Sequence, residues 1–206
     1  MEFLRAYVED KIGSTLSDEE WLREFASLFT KQTYVKGQEL LSAGEVCNTF
    51  YYISSGTVRT YTINSSGKEQ TWALHINQDT DKLDVFVGDY HSFYTKTESN
   101  FYAEAFTDVV IYKAEFSALN ALFESNFMWM KLGKGIFEEQ VVLLMERKKM
   151  MTNLTAKERY IVMQKIAPIY EELLPDYQFA SVLGIAPQSL SRIKKEMKEF
   201  TYYGTK

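Results

Sequence analysis

Five side chains late in the chain have the types and spacing of a recognition surface. Gln188, Ser189, Ser191, Arg192 and Lys195 fall close together on the outward side of one helical segment. They are rich in hydrogen-bond donors, unhindered, and uncharged or basic. Gln and Arg side chains match the donor and acceptor patterns of base edges in a DNA major groove, while Lys and Ser suit phosphate oxygens. The chemistry on offer is reversible recognition of double-stranded DNA. Bond-making chemistry is harder to find. Cys47 is the single cysteine, which excludes a multi-cysteine zinc or iron–sulfur site within one chain. His75 and His91 are the two histidines, too few for a His-rich metal site. No Ser-His-Asp arrangement has supporting spacing and no Walker-type phosphate loop occurs. No enzyme, metal or cofactor is expected.

The segment Asp176–Lys195 explains how such a face would be held. Ala180 sits where two helices cross and only a small side chain fits. Gly184 follows where the first helix must end in a left-handed residue. Pro187 suits the first turn of a second helix, where its missing N–H is no loss. Phe179, Leu183, Ile185, Leu190 and Ile193 supply the apolar contacts that lock the pair. This is a helix-turn-helix pattern. The plainer alternative is a helical hairpin whose outer face is merely solvated. In that case the chain would be a ligand-binding module whose C-terminal helices bind a protein partner.

Upstream, the periodicity divides the chain. Ser17-Asp18-Glu19-Glu20 reads as a capping box opening a helix from about Asp18 to Thr30, with Trp21, Leu22, Phe25, Leu28 and Phe29 on one face. A looser helix is expected over Phe3–Ile12. Short runs rich in Tyr, Phe, Val, Ile and Thr follow at Thr33–Leu41, Phe50–Ser54, Thr57–Ile63, Lys68–Ile76, Leu83–Val87, Phe101–Phe106 and Val109–Tyr112. Turn signals such as Lys36-Gly37, Ser55-Gly56 and Asn64-Ser65-Ser66-Gly67 separate them, which predicts a β sandwich or barrel. Helical period returns at Ser117–Phe123 and in a long helix over Phe127–Thr152. Met130, Phe137, Val141, Leu144 and Met151 form an a/d-like stripe on that helix, suited to a second copy of itself in a homodimer. Thr155-Ala156-Lys157-Glu158 is another capping box, opening a helix with Ile161, Val162, Ile166 and Ile169 turned inward. The expected fold is α+β, with domains over 1–126, 127–152 and 153–206.

Composition agrees with a folded chain. Of 206 residues, 46% are hydrophobic and 15% aromatic, too many for disorder. No apolar run reaches membrane-span length and the opening residues do not read as a signal peptide, so a soluble cytoplasmic protein is expected. The formal net charge is −5, but residues 153–206 carry eight Lys/Arg against six Asp/Glu, a local +2. A mildly basic C-terminal part on an acidic body is compatible with nucleic-acid binding.

A β-rich part, a long helix and a bihelical unit, in that order, resemble the Crp/Fnr family of bacterial transcription regulators. The resemblance rests on Gly44-Glu45, the run Tyr51–Val58, Gly67-Lys68-Glu69, Phe86-Val87-Gly88-Asp89, the region of Ala105, and Phe116. In the second half it rests on Leu183-Gly184-Ile185 and Ser189-Leu190-Ser191-Arg192-Ile193. It implies an N-terminal jelly roll of the cyclic-nucleotide-binding type, dimerisation through the long helix, reading of a palindromic site, and contact with RNA polymerase as a further partner. Gly88, Asp89, Ser99 and Asn100 are the candidate ligand-pocket positions under this resemblance. Here the sequence departs from the family. Ser99-Asn100 stand where cyclic-nucleotide binders carry Arg-Ser or Arg-Thr, and Glu98 lies beside them. No arginine occurs between Arg59 and Arg147. The guanidinium that would pair with a cyclic phosphate is missing, so cyclic AMP is not the expected effector. Another small molecule, or none, remains. Ala186 also replaces the usual Ser or Thr helix cap, Pro187-Gln188 replace a frequent Arg-Glu pair, and the residues after Glu199 are too few for a full wing.

Overall fold

The computed structural model describes residues 5, 8, 9, 11, 20–78 and 81–203. The expected helix over Phe3–Ile12 and the capping box at Ser17–Glu20 lie largely outside the described residues. A helix α1 (Glu20–Ser27) leads into an antiparallel eight-stranded sheet. Its strands are β1 (Thr30–Tyr34), β2 (Glu39–Leu41), β3 (Thr49–Ile63), β4 (Glu69–Gln78), β5 (Asp81–Leu83), β6 (Phe86–Val87), β7 (Phe101–Ala105) and β8 (Val109–Glu115). The short helix α2 (Tyr90–Thr95) interrupts the strands, and α3 (Phe116–Ser125) and the long α4 (Phe127–Asn153) follow them. The C-terminal unit comprises α5 (Ala156–Ile166), α6 (Ile169–Leu173), α7 (Asp176–Val182) and α8 (Pro187–Tyr203).

Strand β3 makes the sheet curl into a jelly roll. Its first half pairs with β8 and β6, and its second half with β4 and β7. The two expected strands Phe50–Ser54 and Thr57–Ile63 are therefore one. Gly56 sits at the crossover with φ of +95°, and a Cβ there would lie 2.4 Å from the Asp108 carbonyl oxygen. Only glycine accepts both the left-handed backbone and that approach. Two other expected strands are each split: Thr33–Leu41 by the turn at Gly37, and Leu83–Val87 at Asp84, whose φ is +45°.

Two cores flank the curled sheet. Alternate residues of the strands point to opposite faces. Tyr51, Ile53, Val58, Ala103 and Ile111 fill the inside of the roll. Phe50, Tyr52, Phe86 and Ala114 point outward, against Phe116, Leu119, Trp129, Leu132 and Ile136 of α3 and α4. Each such fully buried side chain contributes about 1.5–3 kcal/mol. Asn126 caps α4 by accepting from the Met128 and Trp129 amides at 3.0 and 3.1 Å.

The third core joins the C-terminal helices to the sheet. Leu74 and Ile76 of β4 lie among Tyr160, Met163, Tyr170, Phe179, Leu183 and Leu190. β5 pairs β4 only at residues 76–78, which leaves the other edge of Thr71–Leu74 open. The helices close it. The Thr71 amide donates to Ser181 Oγ at 2.9 Å, and the Tyr170 hydroxyl both accepts from the Leu74 amide at 2.7 Å and donates to the Leu74 carbonyl at 3.2 Å. The Thr155–Glu158 capping box is present at the start of α5. Ile166, however, is 66% exposed rather than inward. α5 stops at Ala167 before Pro168, and its buried face is set by Tyr160 and Met163.

Candidate nucleic-acid interface and sensor pocket

α7 and α8 form the bihelical unit. Ala180 is fully buried at their crossing, with Phe179, Leu183, Leu190 and Ile193 around it. Gly184 turns the chain at φ of +65°, and its amide donates to the Ser181 carbonyl at 3.1 Å. Ala186 caps α8 through its backbone alone, accepting from the Ser189 and Leu190 amides. Gln188, Ser191, Arg192 and Lys195 are exposed on α8 and Ser189 is half-buried. The Arg192 side chain is 76% exposed, with its Nε 4.0 Å from Glu196. Glu196 also meets Lys157 of α5 at 3.3 Å, a link across helices that sequence spacing does not reveal. Lys194, by contrast, faces backward. Burial opposes its charge, but the Asp176 and Glu171 carboxylates at 2.6 and 2.7 Å outweigh that and raise its pKa.

On α4, Met130, Phe137 and Leu144 are exposed and recur every seven residues, while Val141 is half-buried. Met151 continues this spacing but differs in its surroundings. It is half-buried, and its Cε lies 2.5 Å from where a Cβ on Gly184 would be.

Three of the four candidate pocket residues come together. Asp89 caps α2, its Oδ1 accepting from the Ser92 amide at 3.0 Å. Its Oδ2 accepts from Ser99 Oγ at 2.8 Å. Ser99 Oγ in turn accepts from the Phe101 amide at 3.0 Å. Both carboxylate oxygens therefore hold donors from within the chain. Gly88 is needed because the Phe116 ring would lie 2.8 Å from a Cβ. Asn100 is exposed. Lys96 folds its ammonium over the Phe93 ring at 4.0 Å.

Comparison with known proteins places this geometry. Residues 31–126 match the cyclic nucleotide-binding domain family. The fumarate and nitrate reduction regulatory protein of Vibrio cholerae is 40% identical over 75 residues, covering 36% of this chain and 30% of that protein. Its Salmonella typhi counterpart is 26% identical over 132 residues, covering 61% and 50%. The chain is similar to transcription regulators of the Crp/Fnr family. It spans half or less of the length of these two curated relatives. Two solved structures share the Crp/Fnr fold. The c-di-GMP responsive global regulator of Xanthomonas campestris superposes with a TM-score of 0.65 at 14% identity, covering 88% of this chain and 92% of that one. The catabolite activator protein of Thermus thermophilus gives 0.55 at 19% identity, covering 92% and 87%. The family consists of transcription regulators rather than enzymes.

Two buried polar groups of this chain escape sequence reasoning. Arg59 is 1% exposed, paired with Glu69 and Glu104 and lying over the Tyr61 ring at 4.1 Å. Burial raises the Glu104 pKa and Arg59 offsets part of that. Its neighbour Thr60 contacts His75 Nε2 at 3.1 Å, so Arg59 points to the opposite face and does not stand in for the missing pocket arginine. His75 is the second group. Its Nδ1 lies 2.8 Å from the Asp84 carbonyl and 3.2 Å from the Asp84 carboxylate. Burial opposes protonation, but Asp84 outweighs it and the pKa is raised. Gln140 of α4 donates to the same carboxylate at 3.4 Å, tying the long helix to the roll. Among the described residues no group of three or more His, Cys, Asp or Glu could hold a metal ion, and no helix is long and apolar enough to cross a membrane.

Proposed function

We propose that the chain is a homodimeric, sequence-specific DNA-binding transcription regulator that does not answer to cyclic AMP. The observation that carries this reading is the exposed donor face of α8, with Gln188, Ser191, Arg192 and Lys195 free to meet a groove. In this reading Gln188 and Arg192 address base edges, while Ser189, Ser191 and Lys195 address phosphates. Two copies pair through the exposed Met130, Phe137 and Leu144 of α4, presenting two recognition helices to a two-fold-symmetric site. The roll, the long helix and the C-terminal unit act as three parts, over 1–126, 127–152 and 153–206, in a cytoplasmic protein that meets RNA polymerase at its promoter.

Indifference to cyclic AMP has a local cause. Ser99 stands in the arginine position, and its hydroxyl is spent on Asp89. A cyclic phosphate there would meet no guanidinium, and a ribose hydroxyl would compete with Ser99 and Ser92 for the carboxylate.

The test is an operator titration with the parent and Arg192→Ala. Arg192 is largely exposed, so its removal leaves folding intact. Affinity for an operator recovered by selection should fall by about 1–3 kcal/mol, roughly 5- to 150-fold. Equal binding by the two proteins would show that α8 does not read DNA in this way. A complex insensitive to salt would favour a protein partner instead, since DNA binding releases counterions.

A further inference from the structure

A cavity of about 380 Å³ lies outside the roll, between the sheet and helices α2, α3 and α4. Phe50 and Phe86 of the sheet, Tyr90 of α2, Phe116 and Leu119 of α3, and Ile136 of α4 wall it. It is separate from the Asp89–Ser99 pair, neither of which lines it. Its walls are aromatic rings held at fixed angles: Tyr90 meets Phe50 and Phe116 edge to face, at centroid distances of 6.4 and 5.4 Å.

One polar group in these walls is out of place. Tyr90 Oη is buried and has no hydrogen-bond partner among the described residues. Burial raises the pKa of this phenol strongly, so it stays protonated and remains a donor. Buried hydroxyls are nearly always paired, and an unpaired one calls for an explanation. A single hydroxyl among apolar walls is a poor host for water, which needs two to four polar partners. The polar residues at the rim are already engaged. Lys134 pairs with Glu138 at 2.6 Å, and Asn120 donates to Glu124 at 2.7 Å. The buried polar atom of these walls is a neutral hydroxyl, which does not offset a charge on a ligand.

We propose that this cavity is a binding site for an uncharged, planar aromatic molecule carrying one carbonyl acceptor, which the Tyr90 hydroxyl recognises. The volume suits a molecule of two fused rings, and the walls offer edge and face contacts to it. Met130 and Phe137 also line the mouth, and both are exposed on α4. A bound molecule therefore reaches the surface assigned above to dimer pairing. That coupling rests on the dimer reading; binding in the cavity does not.

The probe is prodan, a neutral naphthalene ketone whose emission reports both polarity and hydrogen bonding at its carbonyl. The parent chain should bind one molecule per chain, saturably and with blue-shifted emission. Tyr90→Phe keeps the cavity and removes the donor. It should weaken prodan five- to tenfold and shift the bound emission further to the blue. Asn120→Trp places an indole at the rim and should abolish binding, with circular dichroism showing that both variants are folded. Absence of saturable binding to the parent overturns the proposal, and so does parental affinity in either folded variant. Operator binding measured on the same preparations separates the two readings. Loss of prodan binding with intact DNA binding removes only the cavity proposal, and the reverse removes only the regulator reading.

Discussion

Tyr170→Phe probes the join between the C-terminal helices and the roll. The perturbation removes one oxygen and leaves the ring. That oxygen serves both open-edge groups of Leu74, accepting from the amide at 2.7 Å and donating to the carbonyl at 3.2 Å. Burial pushes the Tyr170 pKa up to about 12, so the hydroxyl is a neutral donor and acceptor throughout the working range. Leu74 is fully buried, so water does not replace the lost partner. Leaving a buried polar group unpaired costs about 1–3 kcal/mol, and two are affected, so a loss of about 2–6 kcal/mol follows. Ser181→Ala at the neighbouring contact frees the Thr71 amide and removes the hydroxyl's donation to the Gln178 carbonyl, and should cost about 1–3 kcal/mol. Urea unfolding measures both losses, and native-state hydrogen exchange reads the Leu74 amide directly. A Tyr170→Phe loss below about 0.5 kcal/mol, with Leu74 protection unchanged, would refute the reasoning.

Other outcomes follow from the same geometry. Phe137→Glu with Leu144→Glu should turn a dimer into a monomer by sedimentation, since both apolar side chains are lost twice across a two-fold interface and each contributes about 1.5–3 kcal/mol. Gly184→Ala should cost about 1–2 kcal/mol of stability, because its φ is +65° while the obstructing Met151 methyl can move aside. Gly56→Ala should cost more, because the obstruction there is the Asp108 backbone oxygen; melting temperatures of the two variants rank them. The raised pKa of His75 means that the folded state holds its proton more tightly than the unfolded chain. Its contribution is complete below the usual imidazole pKa of about 6.5 and is lost as pH rises through the folded value. Asp84→Asn keeps a residue that tolerates the φ of +45° but removes that pull, so stability should fall less between about pH 6 and about pH 9 than in the parent. An unchanged slope in denaturant melts at the two pH values would discount the pair.

The bihelical unit is legible in the sequence because its requirements are local. Ala180, Gly184 and Pro187 each answer a steric demand within one turn of chain, and the helices form where those residues stand. The jelly-roll strands are mostly legible by alternation, but Gly56 misleads. A glycine between two apolar runs reads as a turn, whereas here it lets one strand pass from one half of the sheet to the other. Ile166 misleads because helical period carried past Ala167 ignores the break at Pro168. The Asp89–Ser99 pair joins residues ten apart, across α2, and nothing in the spacing announces that both oxygens of Asp89 are spent. The docking of Leu74 against Tyr170 is less legible still. It needs an open strand edge, and an edge exists only once β5 proves too short to cover it.

The central claim, that α8 reads DNA, is tested most directly by enrichment of genomic fragments on the purified chain without added ligand. Bound fragments are sequenced after a moderate-salt wash. The account predicts a two-fold-symmetric motif whose binding weakens steeply as salt rises. No enriched motif, or a motif recovered equally by Arg192→Ala, would contradict it.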